Sequence, residues 1–345
     1  MKTVRLDDVA RRAGVSTSTA SRALNGIGEL AAETRAAVVR AAAELKYRPS
    51  PVARSLRTRR SKTVGLVVPT VSHAFYAAVT HGAQSVLEEH GYRLILVDSG
   101  EDPAPVGRAV ETLLDHEVDG LLMSTAPLSA ARFTELIGMT PCVFIDELAP
   151  GAGVGNVVLE NDRGVEMLVA HVAEHGHRRI AFLGGPADRT SGRERLRGFL
   201  SAMARQRLEV DDQLVRECQW TIASGFEQCM ALLSVEEPPT ALVTASAELA
   251  LGALAATRRM RIAIPQDIAV VCFDDLYFAP LLEPSLTAIA YDARSIGTAG
   301  ARLLLAAVED DEPQWSEARI EVSLVRRRSC GCDYDPAADL AEVVG

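Results

Sequence analysis

The sequence predicts an N-terminal all-α helix-turn-helix domain followed by an α/β body of two lobes. Three observations carry this. The first sixty residues hold short apolar-periodic helices around a glycine turn. Strand and helix patterns alternate from Thr63 onward, and the same rhythm restarts after Asn161. Charge divides at the same place. Residues 1–62 contain 14 Lys+Arg and 5 Asp+Glu, a net of +9. The remaining 283 residues carry 22 basic and 41 acidic groups, a net of −19, which gives −10 for the 345-residue chain. A cationic module on an anionic body suits attraction to a phosphate backbone with little indiscriminate binding.

Leu6, Val9, Ala10 and Ala13 recur at helical spacing and predict a short amphipathic helix over 6–13. Gly14 stops it, because a tight turn needs the left-handed backbone that glycine tolerates. Ser16 stands where an N-cap is wanted. The next helix, 17–25, has Ala20, Ala23 and Leu24 for its buried face and Thr17, Ser18, Ser21 and Arg22 for its outer face. Two helices joined in this way form a helix-turn-helix, whose second helix enters the DNA major groove. A third run, 32–45, offers Val38, Val39, Ala42 and Leu45 to complete a small core, with Ala31 in place of a capping side chain.

Residues 48–62 read as a basic connector. Within it Ser50-Pro51 matches an N-cap followed by proline at the first helical position. The helix that follows is too short to stand alone in water, and Ala53 and Leu56 share one of its faces.

In the body, strands are expected at 63–68, 93–97, 119–123 and 142–145, with helices at 75–90, 104–117 and 129–138. After Asn161 the expected order is helix 162–175, strand 179–183, helix 192–207, strand 241–244, helix 247–259 and strand 268–273. A helix at 293–308 and a strand at 320–325 follow. Such alternation implies parallel sheets covered by helices on both faces. Ligands collect beyond the carboxyl ends of such strands and in clefts between lobes. Polar residues that follow strands are therefore candidates: His73, Asp146, Ser246 and Asp274 with Asp275.

The run from Val9 to Asn25, with Thr34-Arg35, Leu45-Lys-Tyr-Arg-Pro49 and Ala53-Arg-Ser-Leu56, closely resembles the lactose/galactose-repressor (LacI/GalR) family, and the likeness extends over nearly the whole chain. The resemblance implies a body like a type I periplasmic sugar-binding protein. It divides the chain into a headpiece at 1–49, a hinge helix and linker at 50–62, an effector-binding and dimerisation domain at 63–329, and a tail at 330–345. The N-lobe would comprise about 63–160 plus 291–325, and the C-lobe about 161–290. It also implies a homodimeric repressor of a pseudo-palindromic operator on double-stranded DNA, with a small effector, a sugar or sugar derivative, in the cleft. A nucleobase or other non-sugar effector is the alternative within the same class. DNA contacts fall to Ser16, Thr17, Ser18, Ser21, Arg22, Asn25 and Thr34. In the family, paired hinge helices press a leucine into the minor groove, a place that Leu56 matches, with Ala53 beside it. Effector contacts fall to His73, Phe75, Asp146, Arg195, Trp220, Ser246, Asp274 and Tyr291. Where many relatives have Asn-Asp, this chain has Ser246-Ala247-Glu248, so shorter and less polar side chains are expected there.

Other classes find less support. No stretch approaches twenty uninterrupted apolar residues, and the first residues lack a hydrophobic signal region, so a cytoplasmic protein with no membrane partner is expected. These features and the basic module oppose a solute-binding protein. Six scattered cysteines form no C-x-x-C pair, and Cys330-Gly-Cys332 reads as two incidental thiols. His171-Val-Ala-Glu-His175 spells the inverted zinc-protease motif, but no third ligand is evident, so no metal is expected. Gly151-Ala-Gly-Val-Gly155 is not a dinucleotide fingerprint, and no P-loop or G-x-S-x-G occurs. No enzyme activity and no cofactor are expected. The tail after Arg328 has no leucine heptad to support a coiled-coil tetramer.

Overall fold

A computed structural model describes residues 4–25, 29–47, 60–100, 106–125, 130–149, 154–310 and 315–333. The chain divides into two compact units, Met1–Lys62 and Thr63–Gly345.

The first unit holds α1 (Leu6–Ala13), α2 (Thr17–Asn25) and α3 (Ala32–Glu44). Gly14 takes the left-handed conformation at φ +69° that ends α1. Ser16 Oγ accepts from the Thr19 amide at 3.1 Å and so caps α2. Val9, Ala10, Ala20, Ala23, Val38, Ala41 and Ala42 make the core, with Leu6, Leu24, Leu30 and Tyr47 packed against it. Val39, expected in this core, is 51% exposed. One turn of a helix places residues 38 and 39 about 100° apart, so only Val38 can face inward. Ala31 supplies no side-chain cap to α3. Ala53 and Leu56 lie outside the described residues, as does the side chain of Asn25.

The second unit contains two six-stranded sheets. The first is built from β1 (Thr63–Val68), β2 (Arg93–Asp98), β3 (Gly120–Met123), β4 (Cys142–Ile145), β5 (Gly155–Leu159) and, from near the end of the chain, β11 (Glu317–Ile320). The second is built from β6 (Ile180–Gly184), β7 (Val215–Glu217), β8 (Ala241–Thr244), β9 (Ala269–Phe273), β10 (Thr287–Ala290) and β12 (Ser323–Val325). Their orders are β11-β5-β4-β3-β1-β2 and β12-β10-β9-β8-β6-β7. All described pairings are parallel except β10 with β12. In each sheet the central pair, β1 with β3 and β6 with β8, is where successive strands depart in opposite directions. Such switch points open a crevice at the carboxyl ends.

The helices follow the expected pattern: α4 (Ala74–Glu89), α5 (Val106–Asp115) and α6 (Ala130–Ile137) with the first sheet, then α7 (Asn161–Glu174), α8 (Thr190–Arg205), α9 (Ile222–Leu232) and α10 (Ala247–Met260) with the second. The late helix α11 (Ala293–Glu309) returns to the first sheet and packs on α4. The buried strands β1, β3, β4, β6, β8 and β9 are continuous apolar runs, the form expected of strands covered on both faces. Phe182 and Phe199 stack at 4.8 Å between ring centres in the second core.

Three strands, β5, β7 and β10, and the helix α9 lie where the sequence predicts no element. The single strand expected at 320–325 is two strands. Glu317–Ile320 pairs with β5 in the first sheet, whereas Ser323–Val325 pairs antiparallel with β10 in the second. Returning 291–325 wholly to the first lobe is therefore incorrect. The physical reason is length: a continuous six-residue strand could not serve two sheets, and the chain turns between residues 320 and 323 to reach both.

Candidate functional site

A cavity of about 110 Å³ opens at the carboxyl ends of the strands, between the two sheets. Its walls bring together all eight residues expected on sequence grounds to meet an effector: His73, Phe75, Asp146, Arg195, Trp220, Ser246, Asp274 and Tyr291. Thr70, Tyr76, Arg189, Ser191 and Glu248 also line it. The first sheet contributes through the start of α4 and the residue after β4. The second contributes through α8, the loop after β7, the start of α10 and the residue after β9.

Asp146 follows β4 directly and Asp274 follows β9, and both have left-handed backbones, at φ +61° and +115°. These conformations turn each chain sharply at the sheet edge and swing the carboxylates into the cavity. The two acids differ in what they already hold. Asp274 accepts from the Ala247 amide at 3.0 Å and from the Tyr291 hydroxyl at 2.6 Å. Asp146 Oδ1 is buried with no hydrogen-bond partner among the described residues. Burial pushes the Asp146 carboxyl up to about 7, against the pull of Arg195. Burial raises Asp274 as well, again opposed by Arg195.

Arg195 is 5% exposed. Its Nε donates to Asn161 Oδ1 at 2.9 Å and its Nη1 donates to the Ala245 carbonyl at 2.5 Å. Its guanidinium lies 3.8 Å from the centre of the Phe273 ring and 5.8 Å from that of Trp220. Nη2 has no protein partner among the described residues and stays free for a ligand. Trp220 packs against Gly185, where a Cβ would come within 1.9 Å of the indole. Any larger residue at 185 would expel the indole from this place.

Glu248 was not anticipated. The stretch Ser246-Ala247-Glu248 was expected to offer shorter, less polar groups, but Glu248 turns into the cavity and meets His73, Nε2 to Oε1, at 2.7 Å. Ser246 caps α10, accepting from the Leu249 amide at 3.3 Å, and this places Glu248 in the first turn. His73 caps α4 through Nδ1, which accepts from the Phe75 amide at 3.3 Å. Burial, the largest single influence, works to lower the His73 pKa, but the hydrogen bond and charge of Glu248 together with the charges of Asp274 and Asp146 outweigh it, and the net shift is upward. Burial works to raise Glu248, and His73 brings it below its ordinary value. Glu248 Oε2 is buried and, like Asp146 Oδ1, lacks a partner among the described residues. A helix-starting Ser followed two residues later by Glu was the signal available in sequence.

Arg189, also unanticipated, pairs Nε with Glu147 Oε1 at 2.6 Å and donates from Nη2 to the Ser124 carbonyl at 3.3 Å. Asp275 points away from the cavity and holds Arg327 through two bonds of 2.7 and 2.9 Å.

In the helical unit, Ser16, Thr17, Ser18 and Arg22 are exposed, and Ser21 and Thr34 are half-buried. Thr17 Oγ1 donates to Asp7 Oδ1 at 2.9 Å, tying α2 to α1. Ser16, Ser18 and Thr19 share a hydroxyl cluster, with Ser16 Oγ 3.0 Å from Ser18 Oγ and 2.8 Å from Thr19 Oγ1.

Comparison with known proteins decides the family. Residues 5–50 match the bacterial regulatory proteins of the lacI family, and residues 169–330 match the periplasmic binding protein-like domain. Over 327 residues the chain is 32% identical to the HTH-type transcriptional repressor PurR of Klebsiella pneumoniae (strain 342), covering 94% of this chain and 96% of that one. The chain belongs to the lacI family. As a lacI-family protein it is a DNA-binding transcriptional regulator and not an enzyme. Its fold is that of the lac repressor dimer bound to operator and the anti-inducer ONPF, with a TM-score of 0.85 and 29% identity over 95% of this chain and 99% of that one. A complex of the transcriptional regulator CelR with cellobiose gives a TM-score of 0.73 and 30% identity over 94% of this chain and 99% of the other. No helix among the described residues is long and apolar enough to cross a membrane.

Proposed function

We propose that this lacI-family regulator is a homodimeric repressor whose operator affinity is set by a sugar bound in the cavity. The observation that carries the effector class is the pair of buried, unpartnered acceptors, Asp146 Oδ1 and Glu248 Oε2, on opposite walls. Buried acceptors left without donors are costly, so the matching ligand brings hydroxyls or N–H groups to both. Three carboxyl groups line the cavity beside Arg189 and Arg195, and the two unpartnered oxygens call for donors, which a neutral sugar supplies and a phosphate does not. Arg195 Nη2 supplies a donor in return, and the Trp220 face offers a surface on which a sugar's C–H bonds can lie. The cellobiose complex of CelR and the ONPF complex of the lac repressor support a carbohydrate-type effector.

In the same reading, Thr17, Ser18 and Arg22 of α2 read base edges, while Ser16, Ser21, Asn25 and Thr34 contact phosphates. Ala53 and Leu56 belong to a hinge segment that meets the minor groove at the operator centre. Ligand at the cavity changes the closure of the two walls, and through differential binding to two states changes DNA affinity.

The test is operator selection from random DNA with the purified full chain, followed by anisotropy titrations of the selected site with and without monosaccharides. A palindromic site whose affinity shifts with one sugar supports the reading. A site whose affinity responds to purine bases and to no sugar replaces the effector class, and failure to select any site overturns the operator assignment.

A further inference from the structure

A second polar cluster lies on α7, outside the cavity. His171 and His175 stand one helical turn apart, with ring centres at 4.7 Å. The fold lays the end of the described chain against them. Cys330 closes the short 3₁₀ turn Arg328–Cys330, and Gly331, at φ +91°, reverses the backbone and returns Cys332 to the same side. His171 Nε2 is 3.2 Å from Cys330 Sγ and 3.5 Å from Cys332 Sγ, and His175 Nε2 is 3.2 Å from Cys332 Sγ. All four potential ligand atoms lie within 4.8 Å of one another.

We propose that His171, His175, Cys330 and Cys332 form a structural zinc site. A tetrahedral centre with Zn–S near 2.3 Å and Zn–N near 2.05 Å has ligand–ligand edges of about 3.3–3.8 Å. All three contacts are N–S edges, for which such a centre needs about 3.55 Å; the one at 3.5 Å matches, the two at 3.2 Å lengthen by about a third of an ångström, and separations of up to 4.8 Å close by about 1 Å around the ion. Two thiolates and two neutral imidazoles are a soft, charge-balancing set for a divalent zinc ion, and each thiol gives its proton to solvent on binding. Four protein ligands leave no open position, which marks a structural centre and not a hydrolytic one.

The cradle is held in place by bonds that need no metal. Ser329 Oγ donates to the Val270 carbonyl at 2.6 Å and accepts from the Thr287 amide at 2.9 Å, and Thr287 Oγ1 lies 3.1 Å from Cys330 Sγ. His171 and Cys330 are buried while His175 is exposed and Cys332 half-buried, so an ion has a route in. The site ties residues 330–332 to the last turn of α7. The first residue of the same helix, Asn161, holds Arg195 at the cavity. Zinc therefore stabilises the lobe that carries half of the effector site.

The experiment is metal analysis of the untagged full chain after exhaustive dialysis, together with cobalt substitution of the same protein. The wild type is expected to hold about one zinc per chain, and its cobalt form to show tetrahedral d–d bands with thiolate-to-metal charge transfer. His175→Ala and Cys332→Ser, both at the surface end of the cluster, are expected to keep the wild-type far-ultraviolet circular dichroism and to fall below about a tenth of an equivalent. Zinc retained equally by folded variants overturns the proposal. So does wild-type protein without stoichiometric zinc, or an intact mass two hydrogens light that reports a Cys330–Cys332 disulfide in freshly reduced-lysate preparations.

Discussion

His73 and Glu248, 175 residues apart in sequence, meet at 2.7 Å across the cavity and join the first turn of one wall to the first turn of the other. His73 starts α4 of the first sheet, and Glu248 lies in the first turn of α10 of the second. Separating the walls breaks this pair, which makes it a reporter of closure. The shift in His73 is upward, so the folded state binds a proton more tightly than the unfolded one. The stabilisation is complete below the ordinary histidine value and fades as pH rises through the raised one. Glu248→Gln removes the charged acceptor. The melting temperature of wild type relative to Glu248→Gln is expected to fall as pH increases from about 6, measured by calorimetry; parallel curves would remove the ion pair from the closure device.

Asp146 carries a second pH dependence. Its carboxyl sits at about 7, and a ligand that donates to Oδ1 favours the charged form. Binding then releases a proton, so affinity for the effector sugar rises with pH through about 7. Asp146→Asn is expected to weaken binding and flatten this slope in isothermal titration at several pH values. A slope that survives the substitution would place the titrating group elsewhere.

Glu194 and Arg319 connect α8 of the second sheet to β11 of the first through bonds of 2.9 and 3.2 Å. Glu194 is 2% exposed, and Asn161 Nδ2 also donates to it at 3.0 Å. Burial works to raise Glu194, but the bonds from Arg319 and Asn161 outweigh it and leave the carboxyl below its usual value. Its contribution is present above the unfolded carboxylate value and lost as pH falls through the lower folded one. Arg319→Ala leaves a buried carboxylate short of a partner. Urea unfolding is expected to show a loss of about 3 kcal/mol, the low end for a broken buried pair because Arg319 is partly open to solvent.

Arg22 projects from α2 with its side chain exposed. In the operator reading it forms a bidentate contact to guanine, so Arg22→Ala is expected to lose about 1–3 kcal/mol of discrimination at one base pair in each half-site. Competition binding against single-base operator variants measures this. Uniform weakening across all variants would make Arg22 a phosphate contact instead.

Much of the architecture was readable because its signals are local. Gly14 and Ser16 mark the turn and cap of the helical unit, and the buried strands β1, β4 and β8 are unbroken apolar runs with the expected bounds. Edge strands were harder to read: β7 is three residues long and largely uncovered, so neither period nor hydrophobicity distinguishes it from loop, and β12 is legible only as part of one continuous strand at 320–325. The eight cavity residues were found through position after strands and family likeness. Glu248 escaped because its importance lies in a contact 175 residues away, which no local pattern encodes. The same holds for His171 and Cys330, whose 159-residue separation hid a four-residue cluster. Val39 shows the opposite error, an apolar residue assigned inward as part of a periodic run although the helix turns it to solvent.

Thermal unfolding of the full chain against a panel of monosaccharides, sugar phosphates and purine bases, in wild type and Asp146→Asn, tests the effector assignment most directly. A ligand at a hundred times its dissociation constant adds about 2.7 kcal/mol, enough for a clear shift. A neutral monosaccharide that raises the melting temperature of the wild type, and does so far less for Asp146→Asn, is the expected result. Stabilisation by a phosphorylated sugar or a purine, equal in both proteins, would contradict it.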